Sequence, residues 1–72
     1  MKTKTFRYTP DDTIYALLYD NVQVKTDHYQ WELGCVYMKI ATREIFTRPY
    51  RLFNPKNWVE IEGKEYEHID YF

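Results

Sequence analysis

The sequence predicts a mostly β fold: a small SH3-like barrel, or a strongly curved antiparallel sheet of about five strands, with a short helical turn near residues 49–53. Three observations carry that expectation. Several short runs alternate polar and apolar residues with period two, the spacing that places one set of side chains on each face of a strand. Aromatic residues, which favour strands, make up 19% of the 72 residues: eight Tyr, four Phe and two Trp. Glycines and prolines are few, two and three respectively, and no repeat, linker or low-complexity tract divides the chain. One domain spanning residues 1–72 is expected, close to the lower size limit for folding without staples.

The elements follow in order. "TFRYT", Thr5 to Thr9, alternates and reads as the first strand. The next segment, "TPDDTIYALLYDN", supports two readings. Thr9 is a candidate N-cap, Pro10 suits a first helical position, Asp11 and Asp12 suit a first turn, and Ile14, Leu17 and Leu18 have helical spacing. Against a helix, "TIYALLY" is rich in β-branched and aromatic residues, so on the residues alone helix and strand stand level for 10–19. "NVQVKT" places Val22 and Val24 on one strand face. In "HYQWELGCVYMKI", Tyr29, Trp31 and Leu33 alternate, and the apolar set then shifts to Val36, Met38 and Ile40. A change of phase at Gly34 predicts a β-bulge or sharp bend there. "ATRE" is a turn, "EIFTR" a short strand and "RPYRLF" a short helical turn that Pro55 stops from extending. "WVEIEGKEYEHIDYF" reads as two strands of a hairpin joined around Glu62-Gly63.

Charge is balanced overall and polarised locally. The net charge is −1, which argues against a general nucleic-acid binder. Residues 39–56 carry Lys39, Arg43, Arg48, Arg51 and Lys56 against Glu44 alone. From Asn57 onward Glu60, Glu62, Glu65, Glu67 and Asp70 face only Lys64. Either the two segments are neighbours that neutralise each other, or the basic one meets an acidic or phosphate-bearing partner. Cys35 is the sole cysteine, which excludes an intramolecular disulfide and suits a reducing, cytoplasmic compartment. No apolar run approaches the roughly 20 residues of a membrane span, and "MKTKTFRYTP" lacks the apolar core of a signal peptide, so no membrane partner is expected.

Catalytic and metal chemistry find little footing. His28 and His68 lie forty residues apart and Cys35 has no second cysteine at ligand spacing, so neither a metal site nor a cofactor is expected. Cys35 sits in an apolar run, where a free cysteine behaves as a small hydrophobe more readily than as a nucleophile. Asp11 and Asp12 read as turn residues, and Gly34 and Gly63 are too isolated to form a phosphate loop. No catalytic residue is assigned, and no enzyme is expected.

"CVYMKIATREIFTRPYRLF", followed by "VEIEGKEYEHIDYF", resembles a small bacterial and phage-associated domain of unknown function. That family runs a "VVYR" strand, a turn, "RPxxMF" and a final strand pair. Val36, Tyr37, Arg48, Pro49 and Phe53 are the matching positions, and "FRYTPDDTIYALLYD" is loosely similar to the family's opening. The chain departs from the pattern in lacking "ALYG" after the tyrosine strand and the small-residue turn near the start, and in having Leu52 in place of methionine. The resemblance implies a compact curved sheet or small barrel, tips Thr13 to Tyr19 towards strand, and implies no chemistry.

What remains is binding. Trp31, Tyr37, Phe46 and Trp58 on a sheet, with Arg48, Tyr50 and Arg51 close in sequence, form the candidate contact set. Exposed Tyr, Trp and Arg are what protein interfaces favour, so the leading expectation is an adaptor or inhibitor of a partner protein, of the kind common among phage and mobile-element accessory proteins. The alternative is a small barrel that binds single-stranded nucleic acid through residues 39–56, stacking bases on rings beside phosphate-binding cations. A homodimer joined through open edge strands is a further expectation. Within "EIFTRPYRLFNP", Pro49, Leu52 and Phe53 read as architectural, and Tyr50 and Arg51 as outward-facing. Arg48 either serves backbone carbonyls at that corner or pairs with Glu60 or Glu62.

Overall fold

The computed structural model describes residues 2–27 and 30–67; His28, Tyr29, His68 and Asp70 lie outside them. Five strands form one antiparallel sheet: β1 (Lys2–Tyr8), β2 (Thr13–Lys25), β3 (Trp31–Lys39), β4 (Ile45–Pro49) and β5 (Trp58–Glu67). Two single-turn 3-10 helices, Tyr50–Leu52 and Pro55–Asn57, carry the chain from β4 to β5. The spatial order is β4-β3-β2-β1-β5, so β4 and β5 are the two edges and the sheet does not close into a barrel. The open sheet is therefore the member of the expected pair that forms, and the short helical turn falls where it was expected.

Residues 13–19 are strand because the sheet needs them at its centre. Ala16 lies between Thr5 of β1 and Met38 of β3 and is completely buried. A helix here would leave β1 and β3 without a shared neighbour. The apparent helix start builds a turn instead: the Asp11 carboxylate accepts the Thr13 N–H at 3.2 Å and the Thr13 hydroxyl at 2.5 Å, an Asx-type arrangement. Asp12 takes a left-handed conformation with φ 58°, which a short polar side chain tolerates, and its carboxylate meets Arg7 at 3.2 Å.

Two expectations about irregularity are corrected. No bulge occurs in β3 at Gly34, where pairing to β4 runs without interruption from Gly34↔Pro49 to Met38↔Ile45. The breaks lie on the neighbouring strand, between Leu17 and Tyr19 and between Tyr19 and Val22, with Asn21 at φ 53°. The apolar phase of β3 shifts because both its faces are used: Cys35 and Tyr37 are buried on one side, Gly34 and Met38 on the other. Nor is there a hairpin at Glu62-Gly63. β5 is one strand whose two halves both pair with β1, Phe6 facing Glu60 and Lys4 facing Glu65, so four residues of β5 bulge opposite the single Thr5. Gly63 takes φ 75° within that bulge. Thr5, 1% exposed, stitches it shut by donating its hydroxyl to the Lys64 carbonyl at 2.8 Å.

In the strand order β4, which carries Arg48, and β5, which carries the acidic residues from Glu60 to Glu67, are opposite edges. The basic residues are spread over β3, β4 and the turns up to Lys56, just before β5, and β5 itself meets β1, with Lys4 3.9 Å from Glu60 and Lys2 opposite Glu67. Both faces of the sheet carry apolar side chains. One holds a small core of Ala16, Leu18 and Met38 with Val36, Ile40 and Tyr66 against it. The other is almost wholly aromatic.

Candidate functional site

Period-two alternation and the pairing register together gather the aromatic face. Phe6 stands opposite Tyr15, Leu17 opposite Tyr37, Tyr37 opposite Phe46 and Cys35 opposite Arg48, and directly paired residues project from the same face. After β4 the chain turns back across this face, so that Phe53 and Trp58 arrive over rings donated by β2 and β3.

Tyr37 is the floor. It is 6% exposed and its ring meets Tyr15 (5.4 Å), Phe53 (5.6 Å) and Trp58 (5.9 Å) edge-on, while Phe46 stacks on it at 5.6 Å and 27°. Tilted or edge-on ring pairs of this kind contribute about 0.5–1.5 kcal/mol each beyond the area they bury. Trp58 forms a wall, with Tyr8 at 4.9 Å and Phe53 at 5.3 Å. Tyr50 closes one end, where its hydroxyl accepts the Asn21 N–H at 2.9 Å and so ties the 3-10 turn to the irregular stretch of β2. Between these rings lies an open cleft of about 210 Å³, lined also by Phe6, Leu17, Cys35 and Pro55.

Arg48 stands at the rim. Its guanidinium lies 5.1 Å from the Phe53 ring centre and 5.8 Å from that of Tyr37, a cation–π arrangement. The expectation that it pairs with Glu60 or Glu62 is corrected: β4 and β5 are opposite edges, and the ion pairs among the described residues belong to Lys4, Arg7 and Arg51. Arg51 extends away from the cleft to Glu32, Nε to Oε1 at 2.5 Å, and that guanidinium holds the Glu32 carboxyl below its ordinary range. It is therefore committed within the chain. Trp31, 60% exposed, lies at the far end of β3, six residues or roughly 20 Å of strand from Tyr37, beneath the Lys25 ammonium.

Of the seven residues singled out in the sequence, Tyr37, Phe46, Arg48, Tyr50 and Trp58 thus come together, and Trp31 and Arg51 do not. Tyr15, Leu17 and Phe6 complete the cleft from outside that set, together with Phe53, which the sequence marks as architectural. Alternation within β1 and β2 marks Phe6, Tyr15 and Leu17, while Phe53 lies in the turn after the first 3-10 helix; because residues 13–19 carry both helix and strand signals, local sequence does not show which strand lies between the others. The motif residues Tyr37, Arg48 and Phe53 touch one another here, whereas Val36 packs on the opposite face.

The cleft's chemistry is that of contact. Cys35 is 5% exposed, and burial pushes its thiol pKa up, so the thiolate needed for nucleophilic attack is disfavoured. Burial likewise raises the phenol pKa values of Tyr37 and Tyr15. Among the described residues no three His, Cys, Asp or Glu side chains converge to hold a metal ion, and no helix is long and apolar enough to cross a membrane. Compared with models of protein families, with curated proteins and with solved structures, the chain matches none.

Proposed function

We propose that this chain is a non-enzymatic protein-interaction module, an adaptor or inhibitor that grips a partner protein through the aromatic cleft in a reducing compartment. The observation that supports it is a preformed concave surface built from rigid rings, with Phe46 (37%) and Tyr50 (41%) still exposed at its margin. Rigid aromatic anchors lose little side-chain entropy on binding and dominate protein interfaces. Beside the cleft, Ile45 (62%), Leu52 (55%) and Leu33 (52%) leave further apolar surface uncovered around the β4 edge.

Retention of a protein from nuclease-treated lysate, at stoichiometric level and lost in Phe46→Ser, is the expected result. Failure to retain any protein at that level, or retention unaffected by Phe46→Ser, refutes the reading. The same uncovered edge supports pairing with a second copy of the chain, which sedimentation at two concentrations would reveal.

A second reading, binding of single-stranded nucleic acid, is favoured by the stacked Tyr37–Phe46 pair beside the Arg48 cation. It predicts affinity that falls steeply with salt, and a flat titration with labelled oligo(dT) in low-salt buffer removes it.

A further inference from the structure

The protein-binding reading leaves the partner's chemistry open, and Arg48 narrows it. We propose that the cleft receives one bulky apolar side chain of a peptide segment, and that a neighbouring Asp or Glu of that segment pairs with the Arg48 guanidinium. This rests on the reading of the cleft as a protein-binding surface.

Size sets the first limit. A volume of about 210 Å³ lies below the roughly 300–1,000 Å³ of sites that enclose a whole small molecule or cofactor, and suits a single side chain presented from outside.

Charge sets the second. Arg48 is half-buried, stands across from Cys35 of the cleft lining, and rests on the Phe53 and Tyr37 rings. Among the described residues no carboxylate stands within ion-pair distance of it, in contrast to Lys4, Arg7 and Arg51. Aromatic faces attract the cation but give its N–H groups no lone pairs in the guanidinium plane. A carboxylate arriving beside the cleft would find a planar donor fork already held in place, the geometry that favours bidentate pairing.

Placement of the remaining charges separates a peptide from a polyanion. Carboxylates flank the cleft too: Glu60 stands opposite Phe6, and Asp11 and Glu44 add to the rise that burial causes in the Tyr15 pKa, against the lowering effect of Arg48. Cations stand near the cleft as well, Lys39 opposite Tyr15 and Lys56 next to Pro55, so the surroundings of Arg48 are of mixed sign. A strand of regularly spaced phosphates would have to pass carboxylates such as Glu60, whereas a peptide segment needs only one carboxylate, placed at Arg48, beside an apolar side chain in the cleft.

The test is selection of a displayed random heptapeptide library on the full chain, followed by titration of synthetic peptides monitored through Trp58 and Trp31 fluorescence. Enriched peptides should share a Leu, Ile, Met, Phe or Trp within two positions of an Asp or Glu. Replacing that acid by its amide in the synthetic peptide should weaken binding about tenfold or more, as should Arg48→Gln. Arg48→Glu should shift enrichment from acidic to basic residues. The amide replacement leaves the protein untouched, so it decides the matter even where an Arg48 variant fails to fold. Enriched apolar peptides without an acidic preference, or an amide replacement without effect, overturn the inference and leave the protein-binding reading standing. No enrichment above bare support, with the chain folded by circular dichroism, overturns both. Tight, salt-sensitive binding of oligo(dT) in place of peptide also overturns both, in favour of a nucleic-acid ligand.

Discussion

Replacing Gly34 by alanine adds one methyl group at the tightest point of the sheet. A Cβ there would lie 2.2 Å from the Arg48 carbonyl oxygen, 2.8 Å from the Pro49 Cα and 2.8 Å from a Val24 methyl. Two of these neighbours are backbone, so rotation of a side chain cannot relieve the overlap. β4 must move away from β3 or β2 must give way. Overpacking of a well-packed site costs about 1–3 kcal/mol, and a clash against backbone belongs at the upper end. For a domain of this size each kcal/mol lowers the melting temperature by roughly 4–8 °C, which gives an expected fall of about 12–24 °C. Gly63→Ala serves as the control: its Cβ would meet nothing within 4 Å, but φ 75° imposes a left-handed penalty of about 1–2 kcal/mol. Thermal melts followed by far-ultraviolet circular dichroism separate the two causes. Because Arg48 and Pro49 flank the clash, Gly34→Ala should also weaken peptide binding, whereas Gly63→Ala should not. A melting temperature for Gly34→Ala within a few degrees of the parent, or a loss no larger than that of Gly63→Ala, would refute the close-approach argument.

Thr5→Val keeps the side-chain shape but removes the donor to the Lys64 carbonyl, and urea denaturation should show a loss of about 1–2 kcal/mol. Tyr50→Phe removes the acceptor of the Asn21 N–H and should cost about 0.5–1.5 kcal/mol by the same measurement, with loss of protection at Asn21 in hydrogen exchange. Alkaline pH should destabilise the fold: burial raises the folded-state pKa values of Cys35, Tyr15 and Tyr37, so the folded form holds protons that the unfolded chain has already lost. Stability is then full below the ordinary thiol and phenol pKa values and falls as pH rises through the raised ones. A melting temperature that stays level from pH 8 to pH 11 would contradict this. For the same reasons Cys35 should react with a thiol reagent only as the domain opens, so labelling that proceeds at the rate of a free cysteine in native buffer would show the site to be accessible.

Much of this architecture is written in the sequence. Alternation in "TFRYT", "NVQVKT" and "EIFTR" specifies strands because each such run can bury one face only in a sheet. Pro49 and Pro55 confine the chain between them to short turns, because each fixes φ and lacks an N–H. Clustering of Phe46, Arg48 and Tyr50 in one stretch marks part of where the cleft's rim forms, whereas Phe53 beside them reads from sequence as architectural. What local sequence cannot specify is adjacency. Residues 10–19 carry real helix-start signals, and only the demand of β1 and β3 for a shared neighbour makes them strand. The phase change at Gly34 looks like a bulge in a single strand, yet it arises because both faces of β3 are covered. Gly63 looks like a hairpin turn, yet both halves of β5 find the same partner in β1. In each case the local signal is genuine, and the tertiary contact overrides it because burying a strand's length stabilises more than one turn's preference can. The same holds for the ions. Arg48 and the acidic end are close in sequence but lie at opposite edges of an open sheet, so strand order leaves that guanidinium on aromatic rings beside the cleft.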